Sequence, residues 1–144
     1  MNVNSCMSTE VRLTSPAHTI RDAARTMKEI DAGVLPVGDG DRLVGMVTDR
    51  DIAVRAVAEG MGPETRVSEV MSREILYCYE DENLDDVAMQ MNELQVRRMP
   101  VLSRDKRLVG IISLGDLAQT DDDPERAAIA LSGVCQPGGA HNQG

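Results

Sequence analysis

Tryptophan and phenylalanine are absent from this chain of 144 residues, and Tyr77 and Tyr79 are its two tyrosines. Without aromatic platforms it is ill suited to hold single-stranded nucleic acid by base stacking. Positive charge is also scarce: 15 Lys and Arg face 24 Asp and Glu, a net charge of −9. Duplex binding neutralises phosphates with a basic face, which this balance argues against. Any anion site here must be built from local groups. Cysteine is sparse too. Cys6, Cys78 and Cys135 are odd in number and show no CxxC spacing. That argues against a zinc site or a disulfide framework and fits thiols in a reducing cytoplasm, with a redox-linked pair as the alternative. His18 and His141 have no cysteine or histidine at ligand spacing, so no metal site is expected. No apolar run approaches the ~18 residues of a membrane span. The N-terminus also lacks the basic-then-apolar order of a secretion signal. The expectation is a cytoplasmic protein with no membrane association.

What the chain does have is repetition. Leu43–Ile52 reads LVGMVTDRDI and Leu108–Leu117 reads LVGIISLGDL. Shifting the chain by 64 places Met7 on Met71, Thr19 on Asn83, Asp22 on Asp86, Met27 on Met91 and Pro36-Val37 on Pro100-Val101. One extra residue in the second loop makes the shift 65, and Gly45, Thr48 and Asp51 then fall on Gly110, Ser113 and Asp116. Thr19 and Asn83 are candidate helix caps, each with a carboxylate three residues on. Apolar residues follow at helical spacing: Ile20, Ala23, Ala24 and Met27, then Leu84, Val87, Ala88, Met91 and Leu94. Two short apolar runs separated by a polar turn predict a hairpin, with a second helix after Thr48 or Ser113. Each unit therefore reads β-α-β-β-α, its first strand near Val11–Leu13 or Ile75–Tyr77 and its prolines at strand starts. The predicted class is α/β (α+β), organised as repeat 1 over 5–62, a linker over 63–69, repeat 2 over 70–120 and an acidic C-terminal segment over 121–144. In that segment Asp123 would cap a short helix that Gly133 ends. A half of ~60 residues is marginal alone, so one core shared between the halves is expected.

These motifs, VLPV with GMVTDRD and RRMPV with GIISLGD, resemble those of the CBS domain pair, named after cystathionine β-synthase and also called the Bateman module. The resemblance covers about residues 5–120, and DGDRLVGMVTDRDIAVRAVAEG is similar to small bacterial proteins made of a CBS pair and little else. It implies two pseudo-symmetric halves packed as a Bateman module, with clefts between them. Those clefts would take AMP, ADP, ATP or S-adenosylmethionine as a regulatory ligand, with no catalytic cofactor. It also implies a disc-like homodimer and control of a partner protein.

Site residues follow from the same resemblance, each beside a plainer reading. Asp51 and Asp116 would accept hydrogen bonds from adjacent ribose hydroxyls. They would serve equally as carboxylates in the first turn of a helix. Thr48 and Ser113 would meet phosphate oxygens or act as N-caps. Arg97 and Arg98 would reach phosphates through their guanidinium forks or pair with the many acids. The first repeat has Gly33-Val34 at their positions, so the two sites should differ, the arginine-bearing one favouring phosphate. Val11, Val34, Leu35, Pro36, Ile75, Met99 and Pro100 would flank an adenine ring or simply pack the core. Arg50 ranks low as a phosphate ligand because Gly115 replaces it in repeat 2, and Gly45 and Gly110 are expected to permit close packing. The leading expectation is a non-catalytic nucleotide sensor. The alternative is a structural or stress-associated homodimer without a nucleotide. CBS pairs also occur inside inosine monophosphate dehydrogenase, but the barrel that does that chemistry needs far more residues than remain here.

Overall fold

The computed structural model describes residues 1–119 and 125–134. The expected cap Asp123, Cys135, His141 and the tail lie outside the described residues. The chain divides into two units, one of residues 12–75 and one that joins residues 1–11 to the chain from Leu76 onward.

The unit of residues 12–75 begins with Thr14, which forms a parallel bridge to Val37. Helix α1 (Ile20–Ile30) follows, its N-cap Thr19 bonded reciprocally with Asp22 as expected. Strands β1 (Val34–Asp39) and β2 (Arg42–Thr48) form an antiparallel hairpin. Helix α2 (Asp49–Asp51) continues without a break as a π-helical stretch over Ile52–Val57. A 3-10 turn at Val67–Glu69 then leads Ser72 to a bridge with Met46 on β2. Ile20, Ala23, Met27, Leu35, Val37, Val47, Ala56, Val67, Val70 and Met71 make its core.

The other unit repeats this order. Its N-terminal 3-10 turn, Val3–Ser5, leads Ser8 to a bridge with Ile111. Strand β3 (Cys78–Tyr79) runs parallel to β4 (Arg98–Leu102), which pairs antiparallel with β5 (Leu108–Ser113). Helix α3 (Leu84–Leu94) lies between β3 and β4 in sequence, and α4 (Leu114–Ala118) follows β5. Asn83 caps α3 through the N–H of Asp85 at 2.8 Å, one residue earlier than the expected Asp86. Val3, Cys78, Leu84, Val87, Ala88, Met91, Val96, Met99, Val101, Ile112 and Leu117 form the core. Within each unit the named buried apolar residues form one cluster.

The source of this self-sufficiency is an exchange. The segment ahead of repeat 1 supplies Val3 to the unit built on repeat 2. Its sequence counterpart, running from the end of the linker into the start of repeat 2, supplies Val67, Val70 and Met71 to the unit built on repeat 1. Two glycines admit these segments. A Cβ on Gly45 would lie 2.6 Å from the Ser72 carbonyl oxygen and 3.1 Å from Met71 Sδ. A Cβ on Gly110 would lie 2.6 Å from Met7 Sδ and 2.8 Å from the Ser8 oxygen. Met7-Ser8 and Met71-Ser72 are themselves repeat equivalents, so the same contact is made twice.

The first strands start later than predicted, and the prolines explain why. Pro36 and Pro100 sit third in β1 and β4, not at their starts. The Thr14 N–H donates to the Pro36 oxygen at 3.1 Å, and the Gly38 N–H donates to the Thr14 oxygen at 2.9 Å. The next rung of a parallel ladder toward the N-terminus would use the N–H of residue 36, which proline lacks. Val11–Leu13 therefore form no strand. Pro100 ends the second ladder in the same way, so β3 begins at Cys78 instead of Ile75.

The C-terminal helix α5 (Glu125–Val134) packs on α3. Gly133 does not end it. It lies one residue inside, where a Cβ would run into the Asn92 backbone oxygen. The Gln95 amide donates to the Gly133 oxygen at 3.0 Å, and Arg126, 6% exposed, bonds Asp85 at 2.5 Å.

Gly45→Ala and Gly110→Ala are each expected to cost ~1–3 kcal/mol, because backbone oxygens stand in the way. Lower urea midpoints with an unchanged slope would bear this out, and wild-type midpoints would refute it. Thr14 is buried, and its hydroxyl has no hydrogen-bond partner among the described residues. Thr14→Val should therefore leave the urea midpoint unchanged or raise it.

Candidate functional site

The two β-hairpins aim their ends at the helices that follow. In the unit of residues 12–75, β2 ends on Thr48, whose Oγ1 accepts the Asp51 N–H at 3.0 Å. Asp51 Oδ2 accepts the Thr48 N–H at 2.9 Å in return. In the other unit Ser113 Oγ accepts the Asp116 N–H at 3.1 Å, and Asp116 Oδ2 accepts the Ser113 N–H at 2.9 Å. Both are capping boxes, the arrangement that satisfies otherwise orphaned helix donors and favours a carboxylate by the helix dipole. The plainer reading of Thr48, Ser113, Asp51 and Asp116 is therefore realised. Each cap commits one carboxylate oxygen and leaves Oδ1 outside the box. In Asp51 that atom lies 3.9 Å from Arg55 Nε. Arg55 also donates to the Val70 and Met71 oxygens at 3.1 and 3.3 Å, tying the helix to the exchanged segment.

Strand register decides what stands beside each cap. Residues directly opposite in an antiparallel pair project from the same face. Arg98 pairs with Ser113, so a half-buried guanidinium side chain shares a face with the capping hydroxyl. At the equivalent place Val34, 7% exposed, pairs with Thr48. Arg97 is exposed, and its backbone oxygen accepts the Leu114 N–H at 3.0 Å. The counterpart of that bond runs from the Asp49 N–H to the Gly33 oxygen at 2.9 Å.

Asp49 was not singled out in the sequence. Its carboxylate occupies the space a side chain at residue 33 would need, since a Cβ on Gly33 would lie 2.9 Å from Asp49 Oδ2. The signal was available as a mismatch: Asp49 falls on Leu114 at shift 65, and Gly33 falls on Arg97 at shift 64. The caps are therefore alike in geometry and differ in their charged neighbours. Thr48 is flanked by Asp49 and Asp51, with exposed Arg50 donating its N–H to Asp49 Oδ1 at 2.8 Å. Ser113 stands beside Arg98 and Asp116, with the Arg97 backbone oxygen bonded to the start of α4.

The candidate adenine neighbours separate. Leu35 and Met99 are fully buried in the cores of their units. Pro36 and Pro100 are buried beside them, and Val34 borders Thr48. Val11 and Ile75 are half-buried and end the segments at which the chain passes between units. Among the described residues, no group of three or more His, Cys, Asp or Glu side chains is placed to hold a metal ion. No helix among them is long and apolar enough to cross a membrane.

Comparison with known proteins places this geometry. The family profile of the CBS domain matches twice, over residues 3–57 and 67–122. The chain is 41% identical to the CBS domain-containing protein YhcV of Bacillus subtilis, over 92% of this chain and 94% of that protein. It is 39% identical to hypoxic response protein 1 of Mycobacterium tuberculosis, over 91% of this chain and 92% of that one. A crystal structure of that protein, with two coordinated zinc ions, superposes with a TM-score of 0.75, covering 83% of this chain and 98% of that one at 38% identity. The CBS domain pair of protein MJ0100, in complex with 5′-methylthioadenosine and S-adenosyl-L-methionine, superposes with a TM-score of 0.68 at 29% identity, covering 83% of this chain and 94% of that one.

The caps themselves are open to measurement. Thr48→Ala and Ser113→Ala should each cost about 1 kcal/mol, the typical worth of an N-cap. Urea unfolding of the two variants would show it, and a loss well below half that value in both would mean that the boxes contribute little to the fold.

Proposed function

Since the chain belongs to the CBS domain family, with its two repeats in tandem, we propose that it is a non-catalytic sensor that binds an adenosine nucleotide and alters how a partner protein docks. CBS pairs are regulatory modules, and the MJ0100 pair was crystallised with two adenosine compounds. The observation that carries the reading here is the pairing of Arg98 with Ser113 beside Asp116. A guanidinium fork and a hydroxyl suit phosphate oxygens, and the carboxylate oxygen left outside the cap suits a ribose hydroxyl. The equivalent group around Thr48 is the poorer phosphate site. It offers Val34 where the other offers Arg98, and it adds the Asp49 carboxylate. AMP, ADP or ATP would therefore prefer the Ser113 side. In this reading the protein is a cytoplasmic homodimer and the regulated protein is a separate chain.

A second reading has its own support. The capping boxes account for Asp51 and Asp116 with no ligand at all, as expected of a structural homodimer that has kept the architecture and lost the nucleotide. A sensor and a scaffold differ in one respect: a ligand shifts a conformational equilibrium only through unequal affinity for its states.

Thermal unfolding with AMP, ADP, ATP and S-adenosylmethionine separates the two. Ligand at one hundred times its dissociation constant should stabilise the fold by ~2.7 kcal/mol. No shift with any of the four would favour the structural dimer. If AMP binds, Arg98→Ala should weaken it roughly ten- to hundred-fold, the worth of one charge-assisted hydrogen bond. Unchanged affinity by titration calorimetry would remove Arg98 from the site.

A further inference from the structure

Two of the three cysteines meet in one unit. The N-terminal segment runs antiparallel to the start of α3 and the loop before it. The Leu84 N–H donates to the Met1 oxygen at 3.1 Å, the Val3 N–H to the Glu82 oxygen at 3.0 Å, and the Asn4 N–H to the Glu80 oxygen at 3.0 Å. The Cys6 N–H donates to the Val3 oxygen at 3.1 Å, so Cys6 closes the 3-10 turn that these bonds hold beside the loop following Cys78. Cys6 packs, half-buried, against the core cluster that contains the fully buried Cys78. Cys6 is also near enough to act electrostatically on the Cys78 thiol. The repeat-equivalent positions in the other unit hold Val70 and Thr14, so packing at these two places does not call for sulfur.

We propose that Cys6 and Cys78 form an oxidisable thiol pair that a small-molecule disulfide converts to an intramolecular disulfide, fastening the N-terminal segment to β3. The half-buried Cys6 reacts first. Its thiolate attacks one sulfur of glutathione disulfide, forming a Cys6–glutathione mixed disulfide and releasing one glutathione thiolate. Cys78 then loses its proton, attacks the Cys6 sulfur and releases the second glutathione. Two protein thiols are oxidised and one glutathione disulfide is reduced to two glutathiones. Burial, with Glu82 and Cys6 adding to it, pushes the Cys78 thiol up to about 12. Closure is therefore slow near neutrality and quickens as pH rises. The bond would secure the segment that carries Met7 and Ser8 onto Gly110 and β5. The inference is independent of nucleotide binding.

The test uses the reduced full-length protein, incubated with glutathione disulfide at pH 7 and pH 9, alkylated and digested with trypsin. The expected product is a link between the peptides 1–12 and 74–97, formed faster at pH 9 and retained in a Cys135→Ser variant. The oxidised protein should melt higher than the reduced one by roughly 5–10 °C, in line with a typical disulfide. Cys6→Ser should show neither the link nor the shift. Glutathione on Cys6 with Cys78 alkylated only after unfolding, or a link to Cys135 instead, would overturn the pairing. A link without a change in melting would overturn its role as a fastening.

Discussion

A missing side chain at two positions, Gly45 and Gly110, is the constraint that the rest of the structure depends on. Each lets a backbone carbonyl and a methionine from the segment ahead of the opposite repeat lie against a hairpin strand. Through those contacts Val3 reaches one core and Val67, Val70 and Met71 reach the other. Each half is thereby completed by residues that the repeat boundaries would assign to its neighbour. A repeat of ~60 residues buries too little of its own surface to be comfortably stable. Borrowing one buried turn, and the bridge that follows it, is how this chain makes up the deficit twice.

The same hairpins set the position of the caps. Pro36 and Pro100 stop the parallel ladder on one side of the central strands, while the antiparallel register on the other side runs on to Thr48 and Ser113. The capping residue is therefore placed by cross-strand pairing, and the helix start inherits that placement. Charge then distinguishes two geometrically matched places. Register puts valine beside one cap and arginine beside the other. Asp49, resting against Gly33, deepens the contrast. The two repeats share the backbone of the cap and differ in the side chains around it.

Much of this was legible in the residues. The two helices, both hairpins, the boxes at Thr48 and Ser113 and the close packing at the glycines all follow from spacing and residue type, because each rests on local chemistry repeated in register. What was not legible is non-local. Nothing in residues 3–8 says that they pack against the second repeat instead of the first. The start of β3 at Cys78 depends on which N–H of β4 faces it, and therefore on Pro100 being third in its strand. Gly133 reads as a helix terminator, yet its absent Cβ serves α3, about forty residues earlier in the chain. Asp49 carries no repeat signal, because Leu114 stands at its equivalent position.

The exchange of segments also orders events in time. Residues 12–75 hold every partner of their own unit, so that half is complete once its last residue has left the ribosome. The N-terminal segment emerges first, yet its backbone partners at Glu80, Glu82 and Ile111 are made much later. Those bonds join residues about 75–105 apart in sequence, the kind of non-local contact that slows folding. The place of the N-terminal segment is thus fixed by residues far along the chain.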